Sequence, residues 1–301
     1  MSYREIENKS ARAEAQALKA VRLGPLDLAP GLYIVSTPIG NLRDITIRAL
    51  ETLASVDLVL AEDTRTSAKL MNTYGLKSPL SAYHDHNAAK RIPNLINRIQ
   101  NGERIALISD AGTPIVSDPG HKLVSACIEN GLDVIPVPGA SAVLSALVTA
   151  GLTSDRFMFA GFLPPKSAAR QTVLAALAQC PSSLIFYETA PRLIAALTDM
   201  KTVLGNRQTA ICRELTKKYE QISRGDLEAL IKQLTGEKLR GEIVVVVNGP
   251  NAQATWERED VLSALRARIG TLGVKRASLE VAEMSGHKKR DVYQWALKID
   301  P

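Results

Sequence analysis

Short apolar runs alternate with helical stretches along the first half of the chain. Strands alternating with helices in this way predict an α/β fold with a parallel sheet. In such sheets ligands bind outside the carboxyl ends of the strands, so the loops that follow the runs are expected to meet at one edge. The four runs, each ending in glycine, proline or small polar residues, are Leu32–Ser36, Val56–Asp63, Arg104–Gly112 and Leu132–Gly139.

A second set of strands is predicted after Thr153. Its apolar runs are continuous and do not alternate with polar residues, which is typical of a sheet covered on both faces. These runs are Met158–Leu163, Ser182–Glu188, Thr209–Leu215 and Gly241–Val247. The pattern predicts four segments: an N-terminal extension over 1–30, a first α/β domain over 31–152, a second over 153–250 and a helical module over 251–301.

Beyond Pro250 the strand pattern stops and three short helices are predicted, with glycines between them. The helices are Val261–Ile269, Val274–Ser285 and Lys288–Ile299, and the expected breaks are Gly270, Gly273 and Gly286. Three such helices form either a helix-turn-helix or an ordinary three-helix pack. The ordinary pack is the commoner arrangement and is the expectation here.

Composition agrees with a two-domain globular protein. The 301 residues include 46% hydrophobic and only 4% aromatic side chains, so the core is expected to be aliphatic. There are 37 Lys and Arg against 31 Asp and Glu, a formal net charge of +6. This mild excess permits a polyanionic partner and does not require one.

A cytoplasmic protein without a membrane partner is expected. The 3 cysteines are widely separated and form no CxxC pair, which suits a reducing compartment. The charged N-terminus lacks the apolar segment of a signal peptide. The longest apolar stretch, Val134–Leu152, contains Pro136, Pro138 and Gly139 and is not expected to span a bilayer as one helix.

Four strand-end loops carry the candidate chemistry: STPIGN (36–41), AEDTR (61–65), SDAGTPIVSDPG (109–120) and PGASA (138–142). Glycine lets main chain approach a ligand closely, and exposed N–H groups at such loops bind anions such as carboxylates. The chain has no GxGxxG after a strand and no GxxxxGK[ST], which argues against dinucleotide and triphosphate sites. One such loop is an ordinary turn, whereas four on one edge indicate a ligand site.

Acidic residues are expected at the same edge. Glu62 and Asp63 follow the second strand, and Asp110 ends the third. Asp63 precedes the next helix, so capping is an equally good interpretation of that residue. His84 and His86 are expected on a strand, where they share a face without a third ligand. Polar lining is therefore favoured there, and no metal site is predicted.

The loops and several further motifs occur together in one order, and this combination resembles the tetrapyrrole-methylase superfamily. Between Gly31 and Val247 the motifs are GLYIVSTPIGNLRDITIRAL, AEDTRTSAKLM, HDHN, ISDAGTPIVSDPG, PGASA, DRFMFAGFLP, IFYETAPR, RELTKKYE and RGEIVVVV. The first loop, TPIGN, has fewer glycines than the tetrapyrrole enzymes carry, which favours the RNA-methylating branch. The segment LGVKRASLEVAEMSGHKKRDVYQWALK is similar to the terminal helical module of that branch.

The resemblance implies two α/β domains with a cofactor cleft between them, a homodimer, and S-adenosyl-L-methionine as methyl donor. It implies 2′-O-methylation of a cytidine ribose in 16S ribosomal RNA, at the decoding region of the 30S subunit. The donor contacts carried over from the family fall on strand-end loops and on the end of a strand in the second domain: Pro38, Ile39, Gly40, Asp110, Gly112, Thr113, Pro114, Ser141, Ala142 and Tyr187.

Methyl transfer is an in-line displacement, so alignment is the main requirement and can supply several of the ~7–11 kcal/mol available from proximity. A ribose hydroxyl is a weak nucleophile, and a general base adds roughly 10²–10⁴-fold. The candidate bases are Glu62, Asp63 and His84. Candidate RNA contacts are basic residues, although for any single one of them a solvated surface is the favoured explanation: Arg65, Lys166, Arg170, Arg213, Lys217, Lys218, Lys288, Lys289 and Arg290.

Two other functions stay open at this point. A small-molecule methylase acting on tetrapyrroles or corrins shares the architecture, although TPIGN and the helical tail argue against it. A non-enzymatic RNA-binding assembly factor with a vestigial donor site is the other alternative. The tail itself is a weak electrostatic anchor, because residues 251–301 hold nine basic and seven acidic side chains.

Overall fold

The computed structural model describes residues 26–250 and 256–299. Most of the predicted N-terminal extension, the first residues of the predicted helical module and the last two residues of the chain lie outside the described part. Within the described part, the alternation of strands and helices is confirmed, and it places two α/β sheets one after the other along the sequence.

The first sheet has the strand order β3-β2-β4-β1-β5, and its pairs are parallel. Its strands are β1 (Gly31–Val35), β2 (Leu58–Ala61), β3 (Leu80–Ala82), β4 (Arg104–Ile108) and β5 (Val134–Val137). One helix follows each strand: α1 (Ile47–Ser55), α2 (Thr64–Tyr74), α3 (Asp85–Gln100), α4 (His121–Glu129) and α5 (Ala142–Ala150).

Aliphatic side chains cover both faces of this sheet. Along β1, Leu32 packs into one buried cluster, whereas Tyr33 and Val35 pack into the other. Leu53 of α1 covers one face and Leu95 of α3 covers the other, both fully buried. Burial of each such side chain contributes about 1.5–3 kcal/mol, so the run of apolar residues in each strand specifies a sheet between two helical layers.

The order of the strands creates a switch point between β1 and β4. The chain leaves β1 toward β2 on one side and leaves β4 toward β5 on the other. The connections from these two neighbouring strands therefore diverge, which is the arrangement that forms a crevice outside the carboxyl ends of the strands. This is where open α/β sheets bind ligands.

The second sheet has the order β6-β7-β10-β8-β9. Its strands are β6 (Phe157–Phe162), β7 (Ser183–Thr189), β8 (Gln208–Arg213), β9 (Gln221–Asp226) and β10 (Glu242–Val247). Its helices are α6 (Ser167–Leu177), α7 (Leu193–Leu204) and α8 (Leu227–Leu234). Strand β9 was not predicted, because its sequence, QISRGD, is polar and it lies at an edge of the sheet.

The chain divides into two compact units, and each unit is built from several separate stretches of the sequence. The first unit runs to Thr149 and also takes Cys212–Ile222 and Gly241–Val244. The second takes Ala150–Ile211, Ser223–Arg240 and the chain from Val245 onward. The domain limits expected from the sequence, 31–152 and 153–250, stay predictions.

The last described segment is helical. A long helix, α9 (Arg258–Ser285), is interrupted at Gly273, whose φ of 73° and ψ of 159° are not helical, and α10 (Lys289–Ala296) follows Gly286. Val261, Val281 and Val292 belong to its fully buried core. The predicted breaks at Gly273 and Gly286 are confirmed, whereas the break expected at Gly270 is wrong, since that residue lies inside the helix. No helix of the described ranges combines the length and apolar character needed to cross a membrane.

Candidate functional site

The loops after β1 and β4 are joined at the switch point by a two-way main-chain bridge. Thr37 N donates to Gly112 O at 2.8 Å, and Gly112 N donates to Thr37 O at 3.1 Å. The Thr37 hydroxyl donates to Ser109 O at 3.1 Å, and the Ser36 and Thr113 hydroxyls lie 3.0 Å apart. The structure therefore brings the two predicted donor loops together and holds them with hydrogen bonds.

The loop after β5 packs against the same place. A Cβ at Gly139 would lie 2.9 Å from Ser36 Cβ and 3.4 Å from Ser36 O, so only glycine allows this approach. Ser141 follows, and its hydroxyl accepts a long hydrogen bond of 3.4 Å from Leu144 N as α5 begins. The glycine and the small residues of PGASA thus bring this third loop against the first.

Carboxylates crowd the edge between β2 and β4. Asp110 Oδ1 accepts a hydrogen bond of 3.2 Å from Asp63 N. Burial raises the pKa of Glu62, and the charges of Asp110 and Asp85 raise it further. Burial is also the main cause that raises the pKa of Asp110. This edge of the sheet is consequently acidic and favours a cationic ligand.

Asp118 joins this group, although it was not among the predicted site residues. Burial raises the pKa of its carboxyl to about 6, and the charges of Glu62 and Asp110 add to the effect. Asp118 follows two residues, Ile115 and Ser117, with left-handed backbone at φ 77° and 68°. Strained non-glycine backbone of this kind costs about 1–3 kcal/mol per residue and clusters at ligand sites. In the sequence, Asp118-Pro119-Gly120 is indistinguishable from a turn before a helix.

Asp63 caps a helix. Its Oδ1 accepts from Arg65 N at 2.8 Å, and its carboxylate receives both the Nε and the NH2 group of Arg65. These bonds hold the pKa of Asp63 at about 2. A carboxylate of such low basicity is a poor proton acceptor. The capping interpretation is confirmed, and Asp63 is the weakest of the three candidate bases.

His84 lies at the start of α3, so the expected placement of His84 and His86 on a strand is wrong. His84 Nε2 lies 3.2 Å from Asn87 Nδ2, and its buried Nδ1 has no partner among the described residues. The two imidazole rings are 5.9 Å apart. The parallel pairing of Ala61 with Ala82 places the Glu62 and His84 ends of β2 and β3 side by side.

A further loop, residues 214–220 after β8, reaches the first donor loop within the same unit. Asn41 N donates to the Thr216 hydroxyl at 3.1 Å. Glu214 and Thr216 have left-handed backbone, with φ of 50° and 66°. Glu220 fixes this conformation by accepting from Thr216 N at 2.6 Å. The motif RELTKKYE is thus an ordered support for the TPIGN loop.

Lys217 is the centre of that support. Its ammonium binds Glu214 at 2.9 Å and Glu242 at 3.0 Å, and its aliphatic stem lies against Gly40. A Cβ at Gly40 would overlap Lys217 Cγ and lie 2.9 Å from Cε. Lys217 is therefore already neutralised by two carboxylates, and its place in the structure is that of a positioning residue for the loop.

The predicted RNA contacts divide into exposed and internal residues. Arg170 is 3% exposed; its guanidinium binds Asp199 and donates to the carbonyls of Pro164 and Pro165. It cannot reach a phosphate, so the prediction for Arg170 is wrong. Arg213 donates to Gln221 at 3.1 Å, and Arg65 binds Asp63. The exposed predicted contacts are Arg65, Lys166, Lys218, Lys288, Lys289 and Arg290.

Tyr187, the predicted donor contact in the second unit, lies on β7. Its half-buried ring meets Phe159 and Phe162 edge to face, with centroids 4.8 and 5.4 Å apart. The neighbouring Glu188 is buried and binds Arg192, which also donates to Leu163 O. The strand end thus carries an aromatic cluster next to an ion pair whose carboxylate is buried.

Two family models match this chain. The family described as Tetrapyrrole (Corrin/Porphyrin) Methylases matches residues 31–231, and the RsmI C-terminal HTH domain matches residues 257–300. The second match corrects the expectation of an ordinary three-helix pack. The break at Gly273 and the turn at Gly286 separate helices as a helix-turn-helix requires.

Curated relatives match over nearly all of this chain. One from Mesorhizobium japonicum, "Ribosomal RNA small subunit methyltransferase I", is 47% identical over 274 residues, which is 90% of this chain and 93% of the relative. One of the same name from Escherichia coli O157:H7 is 45% identical over 271 residues, 89% of this chain and 94% of the relative.

Solved structures share the fold at low identity. A diphthine synthase superposes with a TM-score of 0.57 at 16% identity, over 72% of this chain and 89% of its own. A uroporphyrin-III-C-methyltransferase from Thermus thermophilus gives 0.52 at 20% identity, over 73% and 94%. These similarities confirm the predicted α/β fold class with two sheets.

Proposed function

The chain belongs to the ribosomal RNA small subunit methyltransferase I family within the tetrapyrrole methylases. From that premise we propose that it methylates the ribose 2′-hydroxyl of a cytidine in 16S ribosomal RNA, at the decoding region. The observation that carries the proposal is 45–47% identity over about nine-tenths of the chain to relatives of that name. The helix-turn-helix match at the C-terminus adds support for a nucleic-acid substrate.

S-adenosyl-L-methionine is the proposed donor and supplies an electrophilic methyl group on a cationic sulphur. The residues present fit such a ligand in two respects. The loops bearing Gly40, Gly112 and Gly139 come together at the switch point, where Gly40 and Gly139 are exposed and Gly112 is buried in the bridge to Thr37. The carboxyls of Glu62 and Asp110 give the same edge the negative character that suits a cation.

The residues proposed to hold the donor are those expected from the family. In the first unit Asp110 would bind a polar group, while main chain of 38–40, 112–114 and 141–142 would enclose the rest. Tyr187, on β7, is a further contact proposed from the family. Alignment by these groups is the chief contribution to the rate, because a displacement reaction depends on the angle and distance of its reacting atoms.

Glu62 is the proposed general base. Its half-buried carboxylate is more basic than a free glutamate because burial and neighbouring charges raise its pKa. It would accept the 2′-hydroxyl proton at a carboxylate oxygen as the oxygen–methyl bond forms and the bond from the methyl group to the donor sulphur breaks. His84, which precedes α3 just beyond the end of the neighbouring strand β3, is the second choice. Asp63 is less suited, since its pKa is about 2.

The 30S subunit is the proposed form of the substrate, and the cytoplasm the proposed compartment. The proposed assembly is a homodimer. On α5, Leu144 and Val148 are 51% and 78% exposed, and a second copy would remove such apolar side chains from water. Sedimentation of the Val148→Glu variant tests this: it should be monomeric at concentrations where wild-type protein is dimeric.

Labelled donor and 30S particles from a strain that lacks this modification test the proposed activity. Wild-type protein should label one cytidine ribose, and Asp110→Ala should abolish the label by preventing donor binding. If wild-type protein labels no ribose, the proposed activity is wrong, and transfer to uroporphyrinogen would then identify a small-molecule enzyme. If Asp110→Ala stays active, the donor site has been misplaced.

A further inference from the structure

A groove of about 420 Å³ lies in the helical module at the break in α9. Its apolar lining comes from Leu272, Val274 and Leu279, around the break and on the helix that follows it. Its charged lining is entirely cationic and consists of Lys275, Arg276 and Lys289. Lys289 opens the last helix, α10, so the groove lies where the first turns of two helical segments come together.

The charge of the module is concentrated on the part that forms this groove. From Arg266 to Ile299 the chain has eight Lys and Arg against three Asp and Glu. Three further acidic residues lie at the start of the module, at 257, 259 and 260. Among the described residues, the one carboxylate that pairs with a lining cation is that of Glu280, at a long 3.7 Å from Arg276. The small net charge of residues 251–301 is therefore the sum of an acidic beginning and a strongly basic remainder.

Main-chain groups add to the positive potential. Helix α10 begins at Lys289 without a hydrogen bond from a capping side chain. The first N–H groups of a helix have no partner within the helix, and its N-terminus carries a partial positive charge. Lys289, the first residue of this helix, lines the groove, so an anion there would meet the Lys275 and Lys289 ammonium groups close to this positive helix end.

We propose that this groove binds a phosphodiester of 16S ribosomal RNA, so that the helical module docks the substrate by its backbone. The inference rests on the proposed function for the identity of the polyanion. Three cations around an apolar floor suit a phosphate and its ribose, because the cations neutralise the phosphate while aliphatic side chains contact the sugar. The groove recognises the shape and charge of the RNA backbone, and residues outside the groove select the nucleotide that is methylated.

The test compares two double variants of the full chain that remove the same charge from the same module. The Lys275→Ala/Lys289→Ala variant removes two of the three cationic side chains that line the groove. Arg266→Ala/Lys298→Ala removes two exposed cations that do not line it. Each protein is assayed for methyl transfer to unmodified 30S particles, for binding of S-adenosyl-L-homocysteine, and for affinity to naked 16S RNA at several salt concentrations.

The groove variant should raise KM for 30S particles about tenfold. It should also reduce the salt slope of RNA binding by about 2, because each lysine that neutralises a phosphate contributes about 1 to that slope. Its affinity for S-adenosyl-L-homocysteine should equal that of wild type. The matched variant should stay within about twofold of wild type in every assay. Circular dichroism establishes that both variants are folded.

Equal losses in both double variants would overturn the proposal, because they would show a response to net charge alone. Wild-type KM in the groove variant, or displacement of RNA by polyglutamate at equal charge concentration, would also overturn it. Failure of the proposed function looks different: wild-type protein would then transfer no methyl group to 30S particles, while the RNA affinities of the two variants would still decide the role of the groove.

Discussion

The aliphatic stem of Lys217 lies against Gly40, and the ammonium at its end is held between Glu214 and Glu242. The lysine is therefore fixed at both ends of its side chain. The RELTKKYE loop therefore supports the TPIGN loop, and a substitution at Gly40 or at Lys217 is expected to alter the position of the other residue. The absence of a side chain at Gly40 is what allows the contact.

The Gly40→Ala substitution should weaken donor binding and lower stability. The new methyl group would overlap Lys217 Cγ, and the two carboxylates prevent the lysine from moving away. Such overpacking typically costs about 1–3 kcal/mol. Titration calorimetry with S-adenosyl-L-homocysteine and urea unfolding measure the two effects. Gly75→Ala is the control: that glycine has φ of 67° and open space, so stability alone should fall. Unchanged donor affinity in Gly40→Ala would contradict the role given to this contact.

Glu62→Gln should lower kcat by about 10²–10⁴-fold, the usual contribution of a general base, while the affinity for donor changes little. Asp63→Asn should retain most of the activity, because the pKa of Asp63 is about 2 and its bonds go to Arg65. Single-turnover methylation of 30S particles separates the chemical step from binding. If Asp63→Asn lowers kcat more than Glu62→Gln does, Asp63 is the general base and Glu62 is not.

The Asp118→Asn substitution should stabilise the protein at pH 8 and have little effect at pH 4. The folded carboxyl has a pKa of about 6 against an ordinary value of 3.8, so the folded state binds the proton more tightly. As the pH rises from about 4 through 6 the folded state loses stability, and the loss is complete above 6. After allowance for partial exposure, asparagine should recover about 1–2 kcal/mol.

Thermal unfolding at the two pH values measures this difference. Asp155→Asn, which changes an exposed carboxylate, is the control and should shift stability by less than about 0.5 kcal/mol at either pH. If Asp118→Asn destabilises the protein at pH 8, the carboxylate is stabilised by the fold and the inferred burial penalty is wrong.

Arg170→Ala should cost about 3–5 kcal/mol of stability, because it leaves the Asp199 carboxylate buried without its cation. Asp199 would retain only the bonds from Ser167 at 3.0 Å and Gln171 at 2.9 Å. RNA affinity per folded molecule should not change. The exposed neighbour Lys166 gives the opposite expectation: Lys166→Ala keeps stability within about 0.5 kcal/mol and weakens RNA binding. Urea unfolding and filter binding on both variants check this pair.

The parts of the fold that were predicted from the sequence are those with a strong apolar pattern. Strands β1, β4 and β10 are continuous aliphatic runs because both of their faces are covered, which distinguishes them from the amphipathic helices. Strand β3 is only three residues long, and β9 is polar at an edge, so neither has a pattern to recognise. The histidines were misplaced because β3 ends at Ala82, before His84, and α3 begins at Asp85.

The site was predicted in outline, because loops at the carboxyl ends of parallel strands meet wherever the strand order allows. Which groups are buried could not be predicted. Arg170 looks like a surface cation, although its spacing of four from the buried Leu174 places it on the apolar face of α6. Asp118 looks like a turn residue, and only the packing around it changes its acidity.

The described chain passes between its two compact units five times, since residues 212–222 and 241–244 return to the first unit from the second. Cutting the gene after codon 152 would therefore yield a fragment without the lysine that braces the TPIGN turn. A recombination event with one breakpoint between these segments would combine the TPIGN loop of one parental gene with the supporting lysine of another. The two units are therefore expected to change in sequence together and not by exchange of modules.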